Sequence, residues 1–236
     1  MQRPSQDVDG LKRRAAEAAV RQVRSGMVLG LGTGSTVAHL LDLLAAAIAA
    51  RTLSDVVAVP TSAQTERRAQ AIGIRLVELA DCARIDLTID GADEISPALD
   101  LIKGGGGALL REKMVAQASD RVVIIADGGK RVDRLGTTFP LPIEVVPWGW
   151  ESHVAVLSEW GGQASLRALP DKTPVTTDNG LYVLDCTFPG GIEDAVALDD
   201  ALARRAGIVE TGLFLGLAHE ALVATESGVE TVLRPI

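Results

Sequence analysis

Ile85-Asp-Leu-Thr-Ile-Asp90-Gly-Ala-Asp-Glu-Ile95 alternates apolar and polar residues as far as Asp90, then turns to glycine and carboxylates. Alternation with a period of two is the signal of a strand, so a strand is expected over 85–90, ending on Asp90. Eight residues past Ile95 comes Lys103-Gly-Gly-Gly-Gly-Ala-Leu-Leu-Arg-Glu-Lys113. Four glycines followed by strong helix formers predict a loop over 104–107 and a helix from Ala108 to Ser119. Strand, loop and helix in succession are the repeating unit of a parallel α/β sheet. Consecutive glycines lose much conformational entropy when they are ordered, and a ligand held by backbone N–H groups offsets that loss.

Working outward, the same unit recurs. Leu11 to Arg24 carries apolar residues with a helical period, and Met27–Leu31 reads as a buried strand. Gly32-Thr-Gly-Ser-Thr36 is a loop, with Ser35 or Thr36 expected to cap a helix that runs to Ala50. Strands follow at 56–59 and 75–79, with a helix at 61–72 between them. Another apolar strand, 122–126, is closed by Asp127-Gly-Gly-Lys130. The succession predicts a Rossmann-like parallel sheet. Past Arg134 the texture changes at Phe139-Pro-Leu-Pro142. Strand 141–146, helix 151–160, strands 163–168 and 181–187, helix 193–206 and strand 208–214 make a β-α-β-β-α-β, ferredoxin-like order. Residues 221–225 and 229–233 read as a hairpin that returns to the first domain. The expected fold is therefore α/β: a Rossmann-like domain of 1–133 with 215–236, and a smaller ferredoxin-like α+β domain of 134–214.

Bulk composition narrows the function. Of 236 residues, 47% are hydrophobic but only 3% aromatic, so the core has to be built from Ala, Val, Leu and Ile. A net charge of −8 and a pI of 4.9 argue against nucleic-acid binding through a basic face. An anionic ligand then needs local cations and backbone N–H groups. Cys82 and Cys186 share no C-x-x-C spacing and read as free thiols of a reducing compartment. Met1–Arg14 is polar, with no apolar stretch of a leader, and Val37–Ala50 is interrupted by His39 and Asp42. Neither a membrane nor a nucleic acid is an expected partner, and the cytoplasm is the expected location.

The chemistry gathers at three predicted strand ends: Gly30-Leu-Gly-Thr-Gly-Ser-Thr36, Asp90-Gly-Ala-Asp93 and Asp127-Gly-Gly-Lys130. In an open parallel sheet such ends share the ligand-binding rim. The first loop suits an anion, offering free backbone, the hydroxyls of Thr33, Ser35 and Thr36, and a helix N-terminus. It does not suit a dinucleotide: the third fingerprint glycine is Ser35, and Val59 leads into Pro60-Thr61 rather than an acidic residue. Glu112, one turn into its helix, can lean back toward the glycine loop, although a glutamate between Arg111 and Lys113 taken alone is a solvated charge. Asp90 and Asp93 lack the further ligands of a hard-metal site, His39, His153 and His219 are scattered, and Lys103 repels a cation. Asp178-Asn179-Gly180 reads as a hairpin turn.

These blocks together resemble the A-type ribose-5-phosphate isomerase family. The matching segments are Gly32–Thr36, Thr61-Ser62, Asp90–Ile95, Leu101–Lys113, Asp127-x-x-Lys130, Phe139–Pro147 and Thr177–Gly180, in order along the chain. Gly128-Gly129 replaces a serine-containing pair, and Trp148-Gly-Trp150 is foreign to the pattern. The resemblance implies interconversion of D-ribose 5-phosphate and D-ribulose 5-phosphate with no metal or organic cofactor, by a homodimer or homotetramer. It makes Glu112 the catalytic base and sets Asp90, Asp93 and Lys103 at the reacting end of the sugar. It also implies substrate contacts from Thr33, Gly34, Ser35, Thr36, Gly91, Ala92, Gly104, Gly105, Gly106 and Lys130, with Lys12 near the phosphate. Two other readings remain open: a non-catalytic sugar-phosphate sensor, and an NAD(P)-dependent oxidoreductase.

Overall fold

A computed structural model describes residues 7–235. The first six residues, which head the segment read as lacking a leader, and Ile236 lie outside the described part. The chain runs α1 (Val8–Val20), β1 (Val28–Leu31), α2 (Ser35–Ala49), β2 (Val57–Pro60), α3 (Ala63–Ala71), β3 (Arg75–Leu76) and β4 (Leu87–Asp90). It continues through β5 (Glu94–Ile95), β6 (Leu101–Ile102), α4 (Leu109–Gln117), β7 (Val122–Asp127), β8 (Leu141–Val145), α5 (Ser152–Glu159) and β9 (Gln163–Leu166). It ends with β10 (Tyr182–Thr187), α6 (Ala195–Ala203), β11 (Ile208–Thr211), β12 (Leu213–Phe214), β13 (Glu220–Thr225) and β14 (Gly228–Leu233). Among the described residues no helix is long and apolar enough to cross a membrane.

Contacts divide the chain into two compact units, the first of Met1–Gly91, Ala118–Gly129 and His219–Arg234. Its seven-stranded sheet has the order β14-β13-β7-β4-β1-β2-β3. Every neighbouring pair is parallel except β13 with β14, so the C-terminal hairpin closes one edge. Read from β3, this is the doubly wound Rossmann order with one antiparallel strand added. β4 and β7 are buried along their whole length. The core, from Leu29, Leu31, Leu40 and Leu44 to Ile89, Val123 and Ile125, contains no aromatic side chain. Ala15, Ala16 and Ala19 let α1 approach closely, and each buried Leu or Ile contributes about 1.5–3 kcal/mol relative to exposure.

The second unit comprises Ala92–Gln117, Lys130–Ala218 and Pro235–Ile236. Its four-stranded sheet, β11-β8-β10-β9, is antiparallel throughout, the strand order of a ferredoxin-like fold. A second, small core around Ile143, Val145, Leu157, Leu184, Cys186 and Phe188 supports it. The strand expected over 208–214 is instead two. Gly212 interrupts it, with its N–H on Pro142 O (2.7 Å) and its carbonyl accepting Lys103 N–H (2.9 Å). A Cβ there would lie 2.3 Å from Lys103 O, so only glycine lets the chain leave one sheet and pair as β12 with β6. The three-stranded sheet β12-β6-β5 has no counterpart in the sequence reading. The strand expected over 75–79 also stops early, at Leu76, and a short 3-10 turn follows at Leu79–Asp81.

Candidate active site

In the first unit the strand order reverses between β1 and β4, and the ends of these two strands form a connected polar group. Gly32 N–H extends the pairing to Ile89 O (3.1 Å), bringing the loop after β1 over the end of β4. Asp90, 2% exposed, accepts from Thr33 N–H (3.2 Å) and Gly91 N–H (2.7 Å). A Cβ on Gly32 would sit 1.9 Å from Asp90 Oδ1, so glycine is required by the close approach of this carboxylate. The α2 cap differs from expectation. Gly34, at φ 123°, is the N-cap and no side chain caps the first turn; Ser35 is already helical. Its Oγ instead accepts from Lys12 Nζ (2.9 Å), which brings the α1 lysine to the loop. No side chain therefore occupies the N-terminal end of this 15-residue helix as a cap, and such an end can serve an anion.

Thr33 is placed differently from Ser35 and Thr36. Its hydroxyl donates to Ser62 Oγ (2.8 Å) and lies 2.9 Å from Thr61 Oγ1 and 3.3 Å from Thr65 Oγ1. Thr65 in turn donates to Gly32 O (2.8 Å), and Ser62 caps α3 through Thr65 N–H. This buried hydroxyl cluster fixes the loop from behind. Thr61-Ser62 belonged to the matched blocks, but the β2–α3 corner offered no sign of its contact with Thr33.

In the second unit, hairpin β5–β6 sets Asp93 beside the glycine loop: Asp93 N–H bonds Ile102 O, and its Oδ2 accepts Gly105 N–H (2.8 Å). Lys103 Nζ stands 3.1 Å from Glu112 Oε2, with side-chain exposures of 4% and 5%. Glu112 is thus not a solvated charge. It sits in the first turn of α4, as its helical lean toward the loop requires. Lys103 also lies over the Phe214 ring (5.4 Å to the centroid), as does Lys113 (5.1 Å), whose ammonium bonds Glu210 Oε1 at 2.6 Å. The Phe214 ring thus stands within cation–π reach of two ammonium groups, each of which also has a carboxylate partner. Lys130 lies 6.0 Å from the Phe139 ring centroid. The Phe139 loop is held by Glu94, fully buried, which accepts Gly136 N–H, Thr138 N–H and Oγ1, and Phe139 N–H at 2.5–2.7 Å. Of the carboxylates in the opening stretch, Glu94 is thus an organiser of backbone.

Two further holds on this segment come from residues to which the sequence reading gave no part in the site. Arg111 donates to Asn179 Oδ1 (2.9 Å) and Asp178 O (3.0 Å), and Asn179 and Thr177 both donate to the buried Glu144 Oε1. The Asp178-Asn179-Gly180 turn is present, with Gly180 at φ 75°, but it also fastens the start of α4. Arg167 bonds the carbonyls of Gly104 and Gly105. Single arginines such as Arg111 and Arg167 carry no such signal, because their partners lie about 60–70 residues away. Among the described residues no group of three or more His, Cys, Asp or Glu side chains is arranged to hold a metal ion.

Chemically, one unit thus offers an uncapped helix start with a lysine, and the other a buried carboxylate–ammonium pair beside a glycine loop. The model of the family described as ribose 5-phosphate isomerase A (phosphoriboisomerase A) matches residues 57–228. Ribose-5-phosphate isomerase A of Chloroflexus aurantiacus is 51% identical over 221 residues, covering 94% of this chain and 92% of its own. Among solved structures, a ribose 5-phosphate isomerase from Plasmodium falciparum superposes with a TM-score of 0.93 at 37% identity, covering 97% of this chain and all of its own (100%). A D-ribose-5-phosphate isomerase in complex with phospho-erythronic acid does so with a TM-score of 0.94, again at 37% identity, 97% and 100% coverage.

Proposed function

The chain belongs to the ribose 5-phosphate isomerase A family and interconverts D-ribose 5-phosphate and D-ribulose 5-phosphate, and we propose that Glu112 carries the proton between C2 and C1. Aldose–ketose isomerisation needs one base that removes a proton from one carbon and returns it to the other through a cis-enediol(ate). The observation that carries this reading is the buried Lys103–Glu112 pair beside the glycine loop. As the proton leaves, negative charge grows on the sugar oxygen. Lys103, a fixed cation already at 3.1 Å from the base, stabilises that charge where water does not screen it. Asp90 and Asp93 bond the hydroxyls at C1 and C2 and move their protons. Each now accepts a glycine N–H, which holds its carboxylate in one orientation.

The remaining assignments follow the donors. Gly34, Ser35, Thr36 and Lys12 take the phosphate, with Lys130; Thr33 holds their loop. Gly91, Ala92 and the Gly104–Gly106 backbone complete the contacts with the sugar. No metal or organic cofactor enters this scheme. The enzyme is proposed to be a cytoplasmic homodimer or homotetramer, which light scattering of the purified chain resolves.

The test is a coupled assay following ribulose 5-phosphate formation. Glu112→Gln is expected to lower kcat by about 10²–10⁴-fold while the variant still binds phospho-erythronic acid. Wild-type turnover in that variant would remove Glu112 as the base. Lys130→Ala is expected chiefly to raise KM, and an unchanged KM removes Lys130 from the substrate site.

A further inference from the structure

Arg167 follows the last residue of β9 and belongs to none of the groups assigned above. Its Nε and Nη2 donate to the two carboxylate oxygens of Asp185 on β10, at 2.8 and 2.5 Å. Its Nη1 donates to Gly104 O at 2.9 Å and to Gly105 O at 3.2 Å. The two side chains are only 15% and 24% exposed. A planar guanidinium held by a bidentate carboxylate on a strand is a rigid bracket, with its remaining donor fixed in direction. That donor is aimed at the stretch of chain with the least intrinsic order. Gly104 and Gly107 have φ of +107° and +75°, and Gly105 and Gly106 are exposed.

Peptide planarity gives this grip its consequence. In a trans peptide the carbonyl and the following N–H point in opposite directions. Turning Gly104 O and Gly105 O toward Arg167 therefore turns Gly105 N–H and Gly106 N–H away from it. Gly105 N–H indeed reaches Asp93 Oδ2 at 2.8 Å. The cation on the carbonyl side also polarises both peptide groups and makes their N–H groups better donors.

We propose that Arg167, braced by Asp185, is a positioning residue that presents the Gly106 N–H to the substrate and holds the Gly105 N–H on Asp93. It touches no reacting atom and acts through the loop backbone. The inference rests on the reading of the glycine loop as a substrate contact. Lysine does not replace it: a point charge cannot serve a carboxylate bidentately and two carbonyls at once.

The experiment measures kcat and KM for ribose 5-phosphate in Arg167→Lys, Asp185→Asn, the double variant, and Gly105→Ala as a direct disturbance of the loop. In Gly105→Ala the new methyl would meet Asp93 Oδ1 at 2.8 Å and the Phe139 ring at 3.0 Å. Arg167→Lys is expected to raise KM roughly tenfold with kcat little changed, because the lost contacts serve ground and transition states alike. Asp185→Asn, which leaves the arginine in place, raises KM in the same sense, and the double variant is no worse than Arg167→Lys alone. A KM unchanged in both single variants while Gly105→Ala raises it overturns the inference and leaves the loop reading standing. If Gly105→Ala also leaves KM unchanged, both fall. A loss confined to kcat contradicts the positioning role. If Arg167→Lys does not fold, Asp185→Asn decides alone: a raised KM in a folded protein supports the bracket, and a wild-type KM overturns it.

Discussion

At the scale of single residues, the Lys103–Glu112 pair, proposed above as the reacting centre, is also a structural commitment. Two nearly buried charges 3.1 Å apart balance each other, so removing one takes from the other its counter-charge in a desolvated place. Lys103→Met is expected to destabilise the fold by about 3–5 kcal/mol, and adding Glu112→Gln should recover much of that loss. Urea denaturation of the two single variants and the double variant checks this; strictly additive losses would mean that the pair is not coupled. Legibility at this scale followed chain proximity. Asp90, Asp93, Lys103 and Glu112 stood out because they crowd one segment with glycines. Arg167 did not, and neither the turn at Asn179 nor the block holding Glu144 showed its part in the site, because each meets its partner only through folding; nor did anything in the sequence mark Lys113, which Phe214 and Glu210 cover.

At the scale of elements, long apolar runs declared themselves and short pairings did not. β7, six residues buried throughout, is plain in Val122–Asp127. β5, β6 and β12, two residues each, have no periodicity to read, and β12 reaches β6 only through the break at Gly212. The expected cap of α2 failed for a related reason: Ser35 looks like a cap locally, but Lys12, 23 residues earlier, engages it. Helix α5 carries a pH-sensitive contact. His153, 2% exposed, accepts from Arg205 Nε (2.9 Å). Burial first, and the Arg205 cation second, push its pKa below the ordinary histidine value. The folded protein keeps His153 neutral while the unfolded chain binds a proton below about pH 6.5, so stability falls as pH drops from there through the lowered folded pKa. His153→Asn, which can still accept from Arg205, is expected to flatten the fall in Tm between about pH 7 and pH 5. An identical acid limb in the variant would assign that limb to other groups.

At the scale of the whole molecule, composition told the truth about the larger core and less about the smaller. The seven-stranded sheet is sealed by aliphatic side chains and alanine alone, as 3% aromatic residues demand. The ferredoxin-like sheet draws in Phe188 with Phe139, Trp150 and Tyr182, and buries Cys186, whose thiol is pushed up to about 12 by burial. That thiol is expected to resist alkylation at pH 8 until the fold opens. With a net charge of −8, an anionic substrate needs fixed local donors, the role proposed above for backbone N–H groups and single lysines. Everything in the functional account converges on one event, removal of a carbon-bound proton by Glu112. Its most direct measurement is proton NMR of substrate held with enzyme in D2O. The wild type should exchange the C2 proton of ribose 5-phosphate for deuterium as it turns over. Glu112→Gln should bind the sugar phosphate and leave that proton in place, whereas exchange at the wild-type rate in the variant would contradict the account.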